Sequence, residues 1–242
     1  MCTVTFLPLN DRILITSSRD ERRSREMAEL PEAVEFKSGK LLYPRDGKAS
    51  GTWVAMHNNG NVMVLLNGGF KAHISLPKYR KSRGLIFLDI FDSASPVNVF
   101  QTIDLSAIES FTLVILQMGE LFECRWDGKE KYVMPLPVNA ARIWSSVTLY
   151  DEPVRTKRKQ WFERWLNKKQ FIGAEQIILF HEFAGDGDER NSLRMSRDGI
   201  LHTVSITSIE IMHDKSVMRY KDLHGGLLSV NEWFMTNNAI RI

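Results

Sequence analysis

Cysteine is scarce in this chain: two residues in 242, Cys2 and Cys124. Two thiols permit at most one disulfide, so no dense disulfide framework is implied and a cytoplasmic setting with reduced thiols is expected. No stretch approaches 18 consecutive apolar residues, which argues against a transmembrane helix and against integral membrane contact. Neither sign of charge dominates. The 32 Lys and Arg against 29 Asp and Glu leave +3, too mild a balance to argue for nucleic-acid binding. The start, Met-Cys-Thr-Val-Thr-Phe, lacks the basic residues and apolar run of a signal peptide. His57, His73 and His181 have no metal-ligand spacing between them, so they read as structural or surface residues. Internal repeats, low-complexity tracts and linkers are missing too.

The chain does have the means to build a large core. Its 43% hydrophobic and 25% charged residues match an ordinary globular protein, and 242 residues suffice for one ample domain. Alternation predicts strands over Thr3–Leu7 and Arg12–Thr16, joined by a turn at Pro8-Leu9-Asn10-Asp11. Gly51–His57 and Val62–Leu66 read as a second hairpin, because Asn58-Asn59-Gly60-Asn61 carries the Asn-Gly pair that tight turns favour. Pro77 is expected to open a helix that runs through Tyr79 to Asp92. Phe111–Gln117 and Leu121–Trp126 form another hairpin, with a further strand at Lys131–Pro135. Val154–Lys169 and Ala174–Phe183 are helical, the first with Trp161, Phe162, Trp165 and Leu166 at helical spacing. Strands return near Leu201–Ile211, Val217–Tyr220 and Gly226–Asn231. Strands, then helices, then strands, without regular βαβ alternation, give an α+β fold in a single domain over residues 1–242.

Chemistry concentrates at the start. If Met1 is removed, Cys2 carries both a thiol and a free α-amine. With a pKa of roughly 7.7–8.0 that amine can act as the base for its own thiol. Such a site needs groups that hold the thiolate and amine, and donors for the tetrahedral oxyanion. Arg19 can lower the thiol pKa and Asp20 can orient the amine, since the hairpin returns the end of the second strand alongside residues 2 to 6. On a regular strand these two adjacent side chains point to opposite faces, so both reach Cys2 only if the strand breaks at Ser18. Asn67 ends a strand before Gly68-Gly69 and is the candidate oxyanion donor. Cys124, in the alternating Leu121–Trp126, reads as a packed thiol. The basic run Arg155–Lys159 beside Trp161 and Phe162 reads as the solvated back of a core-facing aromatic stripe, ahead of a membrane-surface helix.

Met1-Cys2, Ser18-Arg19-Asp20-Glu21, Gly51-Thr52-Trp53, Leu66-Asn67 and Ser82-Arg83-Gly84, in that order, resemble the NRDE family, named for its Asn-Arg-Asp-Glu motif. The family includes the Transport and Golgi organisation proteins. The likeness is clear over the first 90 residues and continues thinly through Ile143–Ser146 and His202–Thr207. More distantly the chain is similar to bile-salt hydrolases and penicillin V acylases. The resemblance implies the four-layer αββα sandwich of N-terminal nucleophile hydrolases, with Cys2 as nucleophile, Arg19 and Asp20 flanking it, and Asn67 at the oxyanion. Trp53, Ser146 and Ser205 would bind substrate. The implied reaction is hydrolysis of a non-peptide amide or related acyl bond through a thioester, on a small-molecule ligand, with no metal and no cofactor. Three positions depart from the family: Ser18 replaces Asn, Ser146 stands where an Asn is usual, and Val204 where the late strand commonly has Arg. A second expectation is therefore a carrier of the same fold that binds a lipid, an acyl-thioester or a tetrapyrrole. The oligomeric state is open between monomer and homo-oligomer.

Overall fold

The computed structural model describes residues 3–168 and 171–234. In chain order its elements begin with strands β1 (Thr3–Pro8), β2 (Ile13–Arg22), β3 (Glu29–Phe36), β4 (Gly39–Arg45), β5 (Val54–His57) and β6 (Val62–Asn67). Helices α1 (Arg83–Phe91) and α2 (Pro96–Thr102) follow, then β7 (Phe111–Gln117), β8 (Glu120–Trp126), β9 (Lys131–Leu136) and β10 (Arg142–Ser145). Helices α3 (Glu152–Lys168) and α4 (Ala174–Phe183) precede β11 (Ser196–Arg197), β12 (Leu201–Ile211), β13 (Lys215–Asp222) and β14 (Leu228–Phe234).

The strands form two seven-stranded sheets with antiparallel pairing throughout. The first runs β10-β1-β2-β12-β13-β14, with β11 added beside β12; the second runs in sequence order from β3 to β9. Period-two alternation divides the first sheet cleanly. Val4, Phe6, Ile13, Ile15, Ile209 and Ile211 face the second sheet and join the main core. Leu7 and Leu14 face the other way, onto Trp161 and Phe162 of α3 and Ile177 and Phe180 of α4. Helices α1 and α2 cover the far side of the second sheet, where Phe100 meets Phe111 edge-on at 6.1 Å. Both helix pairs bury an apolar face on a sheet, which gives the αββα sandwich that the sequence resemblance implies.

Several boundaries differ from expectation. Helix α1 starts at Arg83 because Ser82 is its N-cap and accepts the Leu85 N–H; Pro77 opens no helix. Strands β3 and β4, short β10 and helix α2 were unanticipated. In β3 the charged residues Glu29, Glu32 and Glu35 mask the alternation at an exposed sheet edge. The turn at Met118-Gly119 has both residues at positive φ, as a tight hairpin requires. No helix among the described residues is long and apolar enough to cross a membrane.

Candidate active site

Thr3 pairs with Ser18 in the β1–β2 ladder, so Arg19 and Asp20 lie just beyond the first described residue of the chain. Strand β2 is unbroken from Ile13 to Arg22; the irregularity is in β12, between Thr203 and Ser205. Arg19 and Asp20 accordingly go to opposite faces. Arg19, buried at 4% exposure, projects toward the second sheet. Its guanidinium stacks on the Trp53 ring, 4.3 Å from the centroid, and makes a short ion pair with Asp46. Asp46 also pairs with Arg25 at 2.7 Å and accepts the N–H groups of Lys48 and Ala49. Burial pulls the Arg19 pKa down, against the charges of Asp46 and Glu21.

Asp20 points toward the helical layer. Its carboxylate accepts from the Tyr150 hydroxyl and from the Thr203 hydroxyl, each at 2.6 Å. The same face of β1 and β2 carries Thr3, Thr5 and Ser18. Thr3 accepts from Arg158 at 2.6 Å. Thr5 and Ser18 hydrogen-bond the two ring nitrogens of His181, at 2.8 and 2.7 Å. A polar layer therefore backs the strands that lead to the cleft.

The cleft itself has a volume of about 400 Å³ and is lined by Arg19, Asp46, Trp53, Leu65, Asn67 and Arg83, among others. Two glycines shape its rim. A Cβ on Gly51 would lie 2.4 Å from the Gly84 carbonyl carbon, so this backbone contact admits nothing larger, and it brings the start of α1 to the cleft. Asn67 closes β6 ahead of Gly68, whose φ of +85° turns the chain against Val147 and Thr148. The Ser146 hydroxyl donates to the Asn67 carbonyl at 2.9 Å. Among the described residues the Asn67 carboxamide has no hydrogen-bond partner. Asn67 also lines an adjoining cleft of about 310 Å³ with Ser146, Arg125 and Arg155.

Of the residues singled out from sequence, the fold brings Arg19, Trp53 and Asn67 into one cleft. Ser146 supports Asn67 from behind. Ser205 sits opposite Arg19 in the β2–β12 ladder but outside the cleft lining, and Asp20 is on the other face. Cys2 lies outside the described residues. Cys124 is fully buried, and burial, with Glu123 beside it, pushes its thiol up to about 12, so it is a packed and inert thiol. His57 and His181 are buried, while His73 bonds Ser110 and Glu109. No three His, Cys, Asp or Glu among the described residues could hold a metal ion. Sequence reasoning missed Asp46, Tyr150 and Arg158. Asp46 sits in the turn-rich Pro44-Arg45-Asp46-Gly47 and Arg158 in a run of solvated cations, so neither stood out.

A family model, Transport and Golgi organisation 2, matches residues 1–212. The chain belongs to this family. None of the curated proteins matches the sequence. Among solved structures, the chain is similar to a Caenorhabditis elegans N-acylethanolamine-hydrolyzing acid amidase ortholog, at 13% identity and a TM-score of 0.58, over 86% of this chain and 92% of that one. It is also similar to two structures of a mutated conjugated bile acid hydrolase from Clostridium perfringens. These have 10% and 11% identity, each with a TM-score of 0.58 over 100% of this chain and 99% of that chain. At such low identity the likeness establishes the N-terminal nucleophile hydrolase fold and nothing finer.

Proposed function

We propose that this chain is an N-terminal cysteine hydrolase that cleaves a non-peptide amide or related acyl bond on a small molecule, with Cys2 as nucleophile once Met1 is removed. The observation that carries the reading is the cleft that gathers Arg19, Trp53 and Asn67, in which Arg19 follows Ser18, the ladder partner of Thr3, the residue after Cys2 in sequence. The α-amine takes the thiol proton, and the thiolate attacks the acyl carbonyl. Arg19, held in place by Trp53 and Asp46, supplies positive potential for the thiolate. The Asn67 carboxamide, with its backbone carbonyl fixed by Ser146, donates to the oxyanion. The amine leaves with the proton, and water hydrolyses the thioester. Asp20 acts from the opposite face, by fixing β2 through Tyr150 and Thr203. Ser205, the ladder partner of Arg19 on β12, stays outside the cleft lining. Two cysteines and a charge near neutrality suit a cytoplasmic enzyme.

One observation favours a second reading. The Arg19 charge is already engaged by Asp46, as a carrier that binds an acyl ligand without cleaving it would tolerate. Intact mass before and after mild alkylation, with turnover of acyl amides by wild type and Cys2→Ala, separates the two. The hydrolase loses Met1, labels rapidly at Cys2 and loses turnover in the variant. Retained Met1, or equal turnover in Cys2→Ala, ends the hydrolase reading.

A further inference from the structure

Arg158 is the most deeply buried cation among the described residues, at 0% exposure. It comes from a basic stretch of α3 whose neighbours Lys157 and Lys159 are exposed, as a solvated helix back should be. Arg158 instead turns inward. Its guanidinium donates to the Thr3 hydroxyl at 2.6 Å, the Asn191 carbonyl at 3.1 Å and the Ser192 carbonyl at 2.7 Å. All three acceptors are neutral, and no carboxylate of a described residue forms an ion pair with it. A buried cation without a counter-ion is costly, and fixed dipoles replace only part of its hydration. Its guanidinium carbon stacks on the Tyr150 ring, 3.6 Å from the centroid, and the Tyr150 hydroxyl donates to Asp20. Positive charge is thus held against the first strand residue of the chain, with the Asp20 carboxylate at the hydroxyl end of the same aromatic ring.

We infer that Arg158 is a positioning residue for the N-terminal nucleophile: its charge, ion-paired to no carboxylate among the described residues and anchored on Thr3, favours the thiolate and the neutral amine of Cys2, the residue before Thr3. This rests on the reading of Cys2 as nucleophile. The ionisable groups around Arg158 are His181 of α4, Tyr150 ahead of α3, Asp20 of β2, and Arg197 of β11, whose guanidinium is 5.1 Å from the same Tyr150 ring. On the other face of β2 stand Arg19, Glu21, Arg25 and Asp46. The same field acts on His181: burial first, then the Arg158 charge, pushes that imidazole down to about 3. A second buried base beside β1 is therefore kept neutral.

The test is the pH profile of Cys2 alkylation in the full-length protein, read by peptide mass between pH 5 and 7.5, with buried Cys124 as internal reference. R158Q removes the charge. It should raise the apparent thiol pKa by about one unit, which reads as about tenfold slower labelling at pH 7. Thr3→Val removes the anchor hydroxyl and keeps the charge, so its profile should follow wild type. R158K keeps the charge, and with three acceptors around it the ammonium keeps its proton in this range; it too should follow wild type. If R158Q fails to fold, R158K carries the test, and a one-unit rise there overturns the electrostatic role. An unmoved profile in folded R158Q, or equal shifts in R158Q and Thr3→Val, overturns it as well, while rapid Cys2 labelling leaves the nucleophile standing. Failure of wild-type Cys2 to label, or a retained Met1, overturns the nucleophile reading and the Arg158 inference with it.

Discussion

Arg19 and Asp20 are chain neighbours whose charges are held on opposite sides of one sheet: Arg19 by Asp46 and Trp53 between the sheets, Asp20 by Tyr150 at 2.6 Å beneath the helices. Arg19 faces the cleft, and Asp20 bonds to Tyr150 and Thr203 on the other side of the strand.

Tyr150→Phe is expected to destabilise the fold by about 1.5–3 kcal/mol, the range for a hydrogen bond to a charged group. The hydroxyl donates to a carboxylate that is only 3% exposed, and its loss leaves that carboxylate underbonded. Thr203→Val should cost a similar amount, since Thr203 donates to the other oxygen of Asp20. Because both bonds end on one carboxylate, the double variant should cost less or more than the sum. Urea denaturation checks this, and single-variant losses below about 0.5 kcal/mol would show that Asp20 is not held by these bonds.

His181 gives the fold a defined pH dependence. Its imidazole is fully buried between Thr5 and Ser18, with a folded pKa of about 3 against about 6.5 when unfolded. Protons bind the unfolded chain more tightly over that interval, so the contribution is complete above about pH 6.5 and is lost as pH falls toward 3. The slope is about 1.4 kcal/mol per pH unit. Unfolding free energies at pH 6.5, 5.5 and 4.5 should fall along that slope in wild type and more shallowly in His181→Gln. Parallel lines would count against it.

Much of this architecture is legible in the sequence, and the rest is hidden for physical reasons. The Asn-Gly turn, the alternating Phe111–Gln117 and Leu121–Trp126 strands and helix α4 are local signals, and each stands as expected. Gly51 and Gly84 were visible as motif glycines, and their contact explains why both are small. Strand β3 was hidden because three glutamates decorate a sheet edge. Arg158 was hidden because its burial depends on Thr3 and Asn191, far away in sequence. The divergence of Arg19 and Asp20 followed from strand alternation alone; what Asp20 binds did not, because Tyr150 and Thr203 come from remote segments.

Gly51→Ala should destabilise the protein by about 1–3 kcal/mol, the usual range for overpacking. Its new methyl would meet the Gly84 carbonyl carbon at 2.4 Å, and backbone cannot rotate aside as a side chain can. The start of α1 must move away from the cleft, so small-molecule quenching of Trp53 fluorescence should increase relative to wild type. A variant with wild-type stability and quenching would show that the contact is slack.

Asn67→Ala tests the oxyanion role without touching the nucleophile. The carboxamide has no partner among the described residues, so its removal leaves none of them with an unpaired buried group, and stability should change little. If Asn67 donates to the oxyanion, turnover of any acyl amide that wild type hydrolyses should fall by about 10²–10³, with kcat carrying the loss. Ser146→Ala acts one bond further back, by freeing the Asn67 carbonyl, and its fall should be smaller. Cys2 alkylation should stay at the wild-type rate in both, because neither change alters the thiol or the amine. Unchanged kcat in Asn67→Ala would remove Asn67 from the oxyanion site, and slowed alkylation would place it with the thiolate instead.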